Sequence, residues 1–109
     1  MITTQLNTGG SATVPASGTR TVTIGPNGIE TWQISTIAVT ASSATSEPTA
    51  KVYVDSVDPT HFIGGTFTGS NDSSDQSVVL LQGQKLICVW TLADVGATVT
   101  LSVYGTKTA

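Results

Sequence analysis

The sequence predicts an all-β protein: a single antiparallel β-sandwich, a jelly roll of about eight strands, with an extended N-terminal arm. Three observations predict it. Twenty Thr and twelve Ser stand among the 109 residues, while charged residues make up only 10%, against about 25% in ordinary soluble domains. Thr is β-branched and suits the pleated surface of a sheet. Short alternating runs are separated by turn residues every ~8–12 positions, the spacing of a sandwich. No stretch long enough for a helix carries the helical apolar period.

Residues 1–12, MITTQLNTGGSA, hold only Ile2 and Leu6 as large apolar groups after the initial Met. They read as the arm, mobile alone and available to a neighbour in an assembly. Residues 13–109 form the sandwich domain. Ala12 to Pro15 is a weak edge candidate, because Pro15 has no N–H to give a ladder. Thr19 to Ile24 alternates, with Val22 and Ile24 inward. Gly25-Pro26-Asn27-Gly28 is a turn. Glu30 to Thr40 is a long strand with a phase conflict: Trp32 and Ile34 share one parity, Ile37 and Val39 the other. A flat strand cannot send all four to one face. A β-bulge near Ser35-Thr36, or burial on both sides, is required.

Ala41 to Pro48 reads as a loop, and Lys51 to Asp55 as a strand with Tyr53 facing away from Val52 and Val54. His61 to Thr68 is a strand broken at Gly64-Gly65. Gly69 to Gln76 reads as the most polar loop and Ser77 to Leu81 as a short buried strand. Gln82-Gly83-Gln84 turns. Lys85 to Leu92 and Thr98 to Tyr104 are the last two strands, joined by Ala93-Asp94-Val95-Gly96-Ala97. Gly96 supplies a positive φ there and Asp94 caps the turn. Cys88 shares its parity with Leu86 and Trp90, Trp32 with Ile34, and Leu101 with Val99 and Val103, so Trp32, Cys88, Trp90 and Leu101 are the expected core anchors.

Several chemistries fall away. Four basic residues, Arg20, Lys51, Lys85 and Lys107, are scattered, and the formal net charge is −3. Nucleic acid is no expected partner, since phosphate binding draws on clustered Lys and Arg. One cysteine, Cys88, allows no intrachain disulfide. No basic-then-apolar leader opens the chain, so no signal peptide is expected, and no apolar run reaches membrane-spanning length. One histidine, His61, cannot supply a zinc site with a lone distant cysteine, and it is the only base a Ser-His-Asp set could use. Gly64 to Ser70 lacks the lysine and helix of a phosphate loop. The expectation is a non-enzymatic protein without cofactor or resident metal. Within Asn71-Asp72-Ser73-Ser74-Asp75, hard oxygens at near-alternate positions make Asp72 and Asp75 the candidates for a weakly held calcium ion, shared with Asp55 or Asp58. Ile2, Leu6, Tyr53 and Asp55 are the expected interface residues, because aromatic and exposed apolar groups concentrate in contacts.

Six blocks carry a likeness: Gly25 to Trp32, Lys51 to Asp55, Gly65 to Asp72, Gly83 to Thr91, Asp94 to Ala97, and Val103 to Thr106. In order, over residues 20–106, they resemble small structural proteins of tailed-bacteriophage virions, especially those of actinobacterial hosts and their prophages. The resemblance implies a head-decoration or minor tail protein, made in the host cytoplasm. It would associate with itself, with a trimer favoured, and with capsid or tail proteins, and it brings no catalytic motif. The alternative is a carbohydrate-binding module displayed on the virion for host attachment, with Tyr53, Asp55 and residues 69–76 as its site.

Overall fold

A computed structural model describes residues 2–43, 45–63, 66–69 and 71–109. Eight strands are defined: β1 (Thr3–Thr13), β2 (Arg20–Ile24), β3 (Thr31–Ala41), β4 (Thr49–Val54), β5 (Phe67–Thr68), β6 (Asn71–Leu80), β7 (Leu86–Thr91) and β8 (Thr98–Thr108). A 3-10 turn, Pro59–His61, follows β4. Sheet I has the order β1-β8-β3-β6 and sheet II the order β2-β7-β4-β5. All pairs are antiparallel. β1 pairs β8, β2 pairs β7, β3 pairs β6 and β4 pairs β5, as though one long hairpin were wrapped around a core. That connectivity is the jelly roll.

The core forms where the two sheets face each other. Ile34, Ile37, Val52, Leu80, Leu86, Cys88, Val99, Leu101 and Val103 are wholly buried, with Trp90 at 1% and Trp32 at 4% exposure. Among the described residues no polar or charged residue is buried, and no buried side-chain polar atom lacks a partner. Burial without orphaned polar groups avoids the desolvation cost that would otherwise offset it.

The phase conflict in β3 resolves as a bulge. Ile34 faces Gly105 while Thr36 faces Tyr104, which leaves Ser35 as the extra residue. Its hydroxyl donates to the Tyr104 carbonyl at 3.1 Å. The parity of β3 flips there, so Trp32 and Ile34 before it and Ile37 and Val39 after it all enter one core. Gly105 sits opposite the bulge, where a Cβ would collide with the Gln33 carbonyl oxygen.

Three expectations are corrected. Residues 3–13 are extended, but they lie along β8 of the same chain over eleven paired positions rather than projecting as an arm. Leu6 is buried at 2% exposure, in the core rather than at an interface. Gly9 permits the pairing, since a Cβ there would strike the Leu101 carbonyl oxygen. Second, Asn71 to Gln76 is not a loop; it is the first part of β6, paired with β3. Only Val78 and Leu80 of that strand are buried, while Val79 and Leu81 are about half exposed. Third, His61 to Thr68 is not one strand. His61 ends the 3-10 turn, Phe62 makes a single bridge to Tyr53, and β5 is two residues long. The break expected at Gly64-Gly65 lies outside the described residues.

Candidate functional site

Three surface regions could carry function, and each is built by a different part of the fold. The first is the outer face of sheet I. Inward positions on β1, β8 and β3 are set by Leu6, Leu101 and Ile37, so the alternate positions face out. They are Thr, Ser, Gln and Asn along most of their length, with Asp75 of β6 as the one carboxylate. Hydroxyl and amide pairs cross the strands: Thr3 with Thr108 at 3.1 Å, Ser11 with Thr100 at 2.9 Å, and Thr36 donating to Asp75 at 3.2 Å. Tyr104, 39% exposed, is the one aromatic group on that face.

The second region is a shallow cleft on the outer face of sheet II, about 200 Å³, lined by Lys51, Tyr53, Pro59, Phe62 and Thr66. Tyr53 points outward because Val52 points into the core. Phe62 reaches it through the bridge and through Ile63 N–H donating to Val52 O at 3.0 Å. The rings lie 5.6 Å apart and tilted at 56°, a favourable aromatic geometry. The turn that delivers Phe62 begins with Asp58 as N-cap and Pro59 inside the first turn, the standard start signal. That signal was present in the sequence and marks the turn at Asp58-Pro59. Asp58 also accepts from the Ser56 hydroxyl at 2.6 Å. Hydrogen bonds from Ser56 and Thr60 hold its carboxyl down to about 2.

The third region is a polar hollow of about 300 Å³ between β1 and the 25–30 turn, with Gln5, Asn27, Glu30, Trp32 and Lys107 among its walls. Its charges are already matched. The Trp32 indole N–H donates to Glu30 at 3.2 Å, and Lys107 lies 3.6 Å from the same carboxylate. The indole bond, with help from Asn27 and Lys107, lowers the Glu30 pKa.

The remaining sequence-predicted residues fall as follows. Asp94 does not cap its own turn with its carboxylate. The turn closes through Ala97 N–H to Asp94 O at 3.1 Å, with Gly96 at φ +84. The carboxylate instead crosses to the 42–48 loop, accepting from Thr45 N and Oγ1 at 2.9 Å each and Ser46 Oγ at 2.7 Å. Asp94 therefore latches the β3–β4 connection to the β7–β8 connection. Asp55 adopts φ +68 and accepts from Lys85 N at 2.8 Å, tying the strand end to the 82–85 turn. Tyr53, Asp55 and residues 71–76 do not form one site: residues 71–76 belong to β6, in the opposite sheet from Tyr53. Asp72 and Asp75 point to opposite faces of β6. Asp72 accepts from Thr68 N and Ser73 N. Among the described residues no cluster of three metal-ligating side chains forms. Ile2 is 70% exposed. Burial pushes the Cys88 thiol up, away from the reactive thiolate. His61 Nδ1 is 2.7 Å from Val54 O, and Ser56 bonds Asp58 rather than His61, the wrong order for a triad.

No protein-family model matches this chain, and no curated protein does. No helix of the described residues is long and apolar enough to cross a membrane.

Proposed function

We propose that this chain is a non-enzymatic structural protein of a tailed-bacteriophage virion, made in the host cytoplasm. It acts as a homo-oligomer on the head or tail, in contact with capsid or tail proteins. The observation that carries the reading is the outer face of sheet I. A broad sheet covered mostly by Thr and Ser hydroxyls loses little side-chain entropy when a neighbour covers it, compared with one covered by Lys or Glu. It also has almost no charge to desolvate, the term that makes burying ionic surfaces costly. The block likeness to small virion proteins supplies the particle; the face supplies the reason the chain suits one.

Mass spectrometry and immunogold labelling of purified particles test it. The protein should be present at a fixed copy number, and replacing Thr100 and Ser102 with Lys should abolish incorporation of a still-folded chain. Absence from particles, or incorporation untouched by that change, counts against the reading. Deleting residues 1–10 is not a usable test, because it removes most of β1 and the buried Leu6.

One observation favours a second reading. The Tyr53–Phe62 cleft, with Lys51 on its wall, has the aromatic surface and adjacent polar group that a sugar ring uses. A host-attachment module would bind glycan there. Selective signals on a glycan array, lost in Tyr53→Ala, support it; an array without selective signals removes it.

A further inference from the structure

The free edge of β1 is chemically unlike the other three edges of the sandwich. β5 is two residues long, β2 is five and begins on Arg20, and β6 carries Asp72 and Asp75. Short length and charge are the usual guards against strand pairing between molecules. β1 has neither. Its eleven residues, TTQLNTGGSAT, contain no charge and no proline, and its ladder with β8 runs without a register shift.

The bonding parity of that edge can be read directly. Ile2 and Ala109 exchange both backbone hydrogen bonds, at 2.8 and 3.0 Å, and Val14 N–H donates to Ala97 O at 2.8 Å. Bonded and non-bonded pairs alternate along an antiparallel ladder. The even residues therefore bond β8. The odd residues, Thr3, Gln5, Asn7, Gly9, Ser11 and Thr13, turn both N–H and C=O toward the open edge. Among the described residues no backbone group of another segment reaches them.

We infer that β1 is a self-pairing edge: two copies of this chain join β1 to β1, antiparallel about a two-fold axis at Thr8, and make sheet I continuous across the dimer. The register follows from the parity. With Thr8 opposite Thr8 of the second copy, Gln5 faces Ser11, Asn7 faces Gly9, and Thr3 faces Thr13 of that copy. Every odd residue meets an odd residue, so all the open groups are satisfied in roughly twelve hydrogen bonds. Other registers leave open groups at the ends or, when shifted by one, set odd against even. The facing side chains are hydroxyls, amides and glycine, so no like charges oppose. The contact is isologous and closes on itself as a dimer; a β1-to-β6 contact would instead be head-to-tail, giving a ring if its rotation closes and an open chain if it does not.

The inference rests on the self-associating reading above, and sedimentation equilibrium with purified protein tests it apart from that reading. The unaltered chain should reach twice the 11.1 kDa monomer mass and stop there. Gln5→Lys with Ser11→Lys places lysines opposite each other twice across the axis and should raise the dissociation constant about tenfold. Gln5→Lys with Ser11→Glu makes the same two contacts complementary and should restore or tighten the dimer. Both positions are exposed, and far-UV circular dichroism with thermal melting verifies that each variant is folded. A monomer at every concentration, a trimer indifferent to both variants, or growth without limit overturns the β1 contact. A monomer found in purified particles overturns the contact and leaves the virion reading standing; a dimer absent from particles does the reverse.

Discussion

β1 and β6 are the two edges of one sheet, nearly equal in length, each paired on one side only. They are held and guarded in opposite ways. β1 is anchored by Leu6, with Val14 just beyond its far end, and crosses the middle on Gly9-Gly10, where a Cβ on Gly10 would sit 3.0 Å from Val22 and 3.2 Å from Ile24. β6 is anchored at one end by Val78 and Leu80; the rest is polar and carries two aspartates. The lesson is that an edge strand needs little apolar content to hold its place when its neighbour's ladder is long. What its remaining residues encode is whether the edge stays single.

The anchors give the largest expected effects. Leu80→Ala should cost about 3–5 kcal/mol and Leu6→Ala about 2–3 kcal/mol in urea unfolding. The difference arises because Leu80 is wholly enclosed and lies beside Trp32 in register, whereas the β1 edge can close partly over the void. Equal losses would mean that β1 is fixed as firmly as β6. Gly9→Ala should cost ~1–3 kcal/mol by forcing backbone apart at Leu101, and it should loosen β1 while β6 keeps its amide protection in hydrogen exchange. Gly10→Ala should cost less, since Val22 and Ile24 side chains can give way.

Asp75→Thr is a smaller change. It removes the Thr36 contact, worth about 0.5–1 kcal/mol at an exposed site. Its informative readout is association: light scattering should show more self-association once β6 has lost that guard. Scattering unchanged from the parent would show that charge does not protect this edge. Acidification has the smallest effect on sheet I. The Asp58 carboxyl titrates at about 2, below its ordinary 3.8. Its contribution is therefore full above about 3.8 and lost as pH falls through 2. The amide of Thr60 should lose protection across that window and Phe62 should loosen from Tyr53. In the β1–β8 ladder only the Lys107 end should respond, where Glu30, itself held below its ordinary value by Trp32, Asn27 and Lys107, gains a proton; β1 itself holds no titratable side chain.

The same comparison explains what could be read in advance. β3, β4, β7 and β8 lie inside the sheets, bury one whole face, and so alternate visibly; even the bulge at Ser35 leaves a legible trace, the parity conflict between Ile34 and Ile37. β1 and most of β6 bury too few side chains to alternate, so from sequence alone they look like an arm and a loop. Their strand character comes from the ladders of β8 and β3, which are remote in sequence. Of the candidate surfaces, Tyr53 was legible by parity with Lys51, and its partner Phe62 was not, because a turn and a single bridge bring it there. Asp94 was legible as a turn residue. Its bonds to Thr45 and Ser46 were not, because they join loops about fifty residues apart.

By itself the sequence determined the all-β class, the strand spacing, the phase conflict in β3 and the near-absence of charge, because each follows from local residue type and period; that the conflict is a bulge was left to the structure. The tertiary structure alone decided that the strands pair in nested order around one core, that Leu6 is inside, and that Asp72 and Asp75 are parted. It also decided that the one uncharged long edge is left open. These depend on which strand lies beside which, a choice made by burying every inward face at once and carried by no single segment.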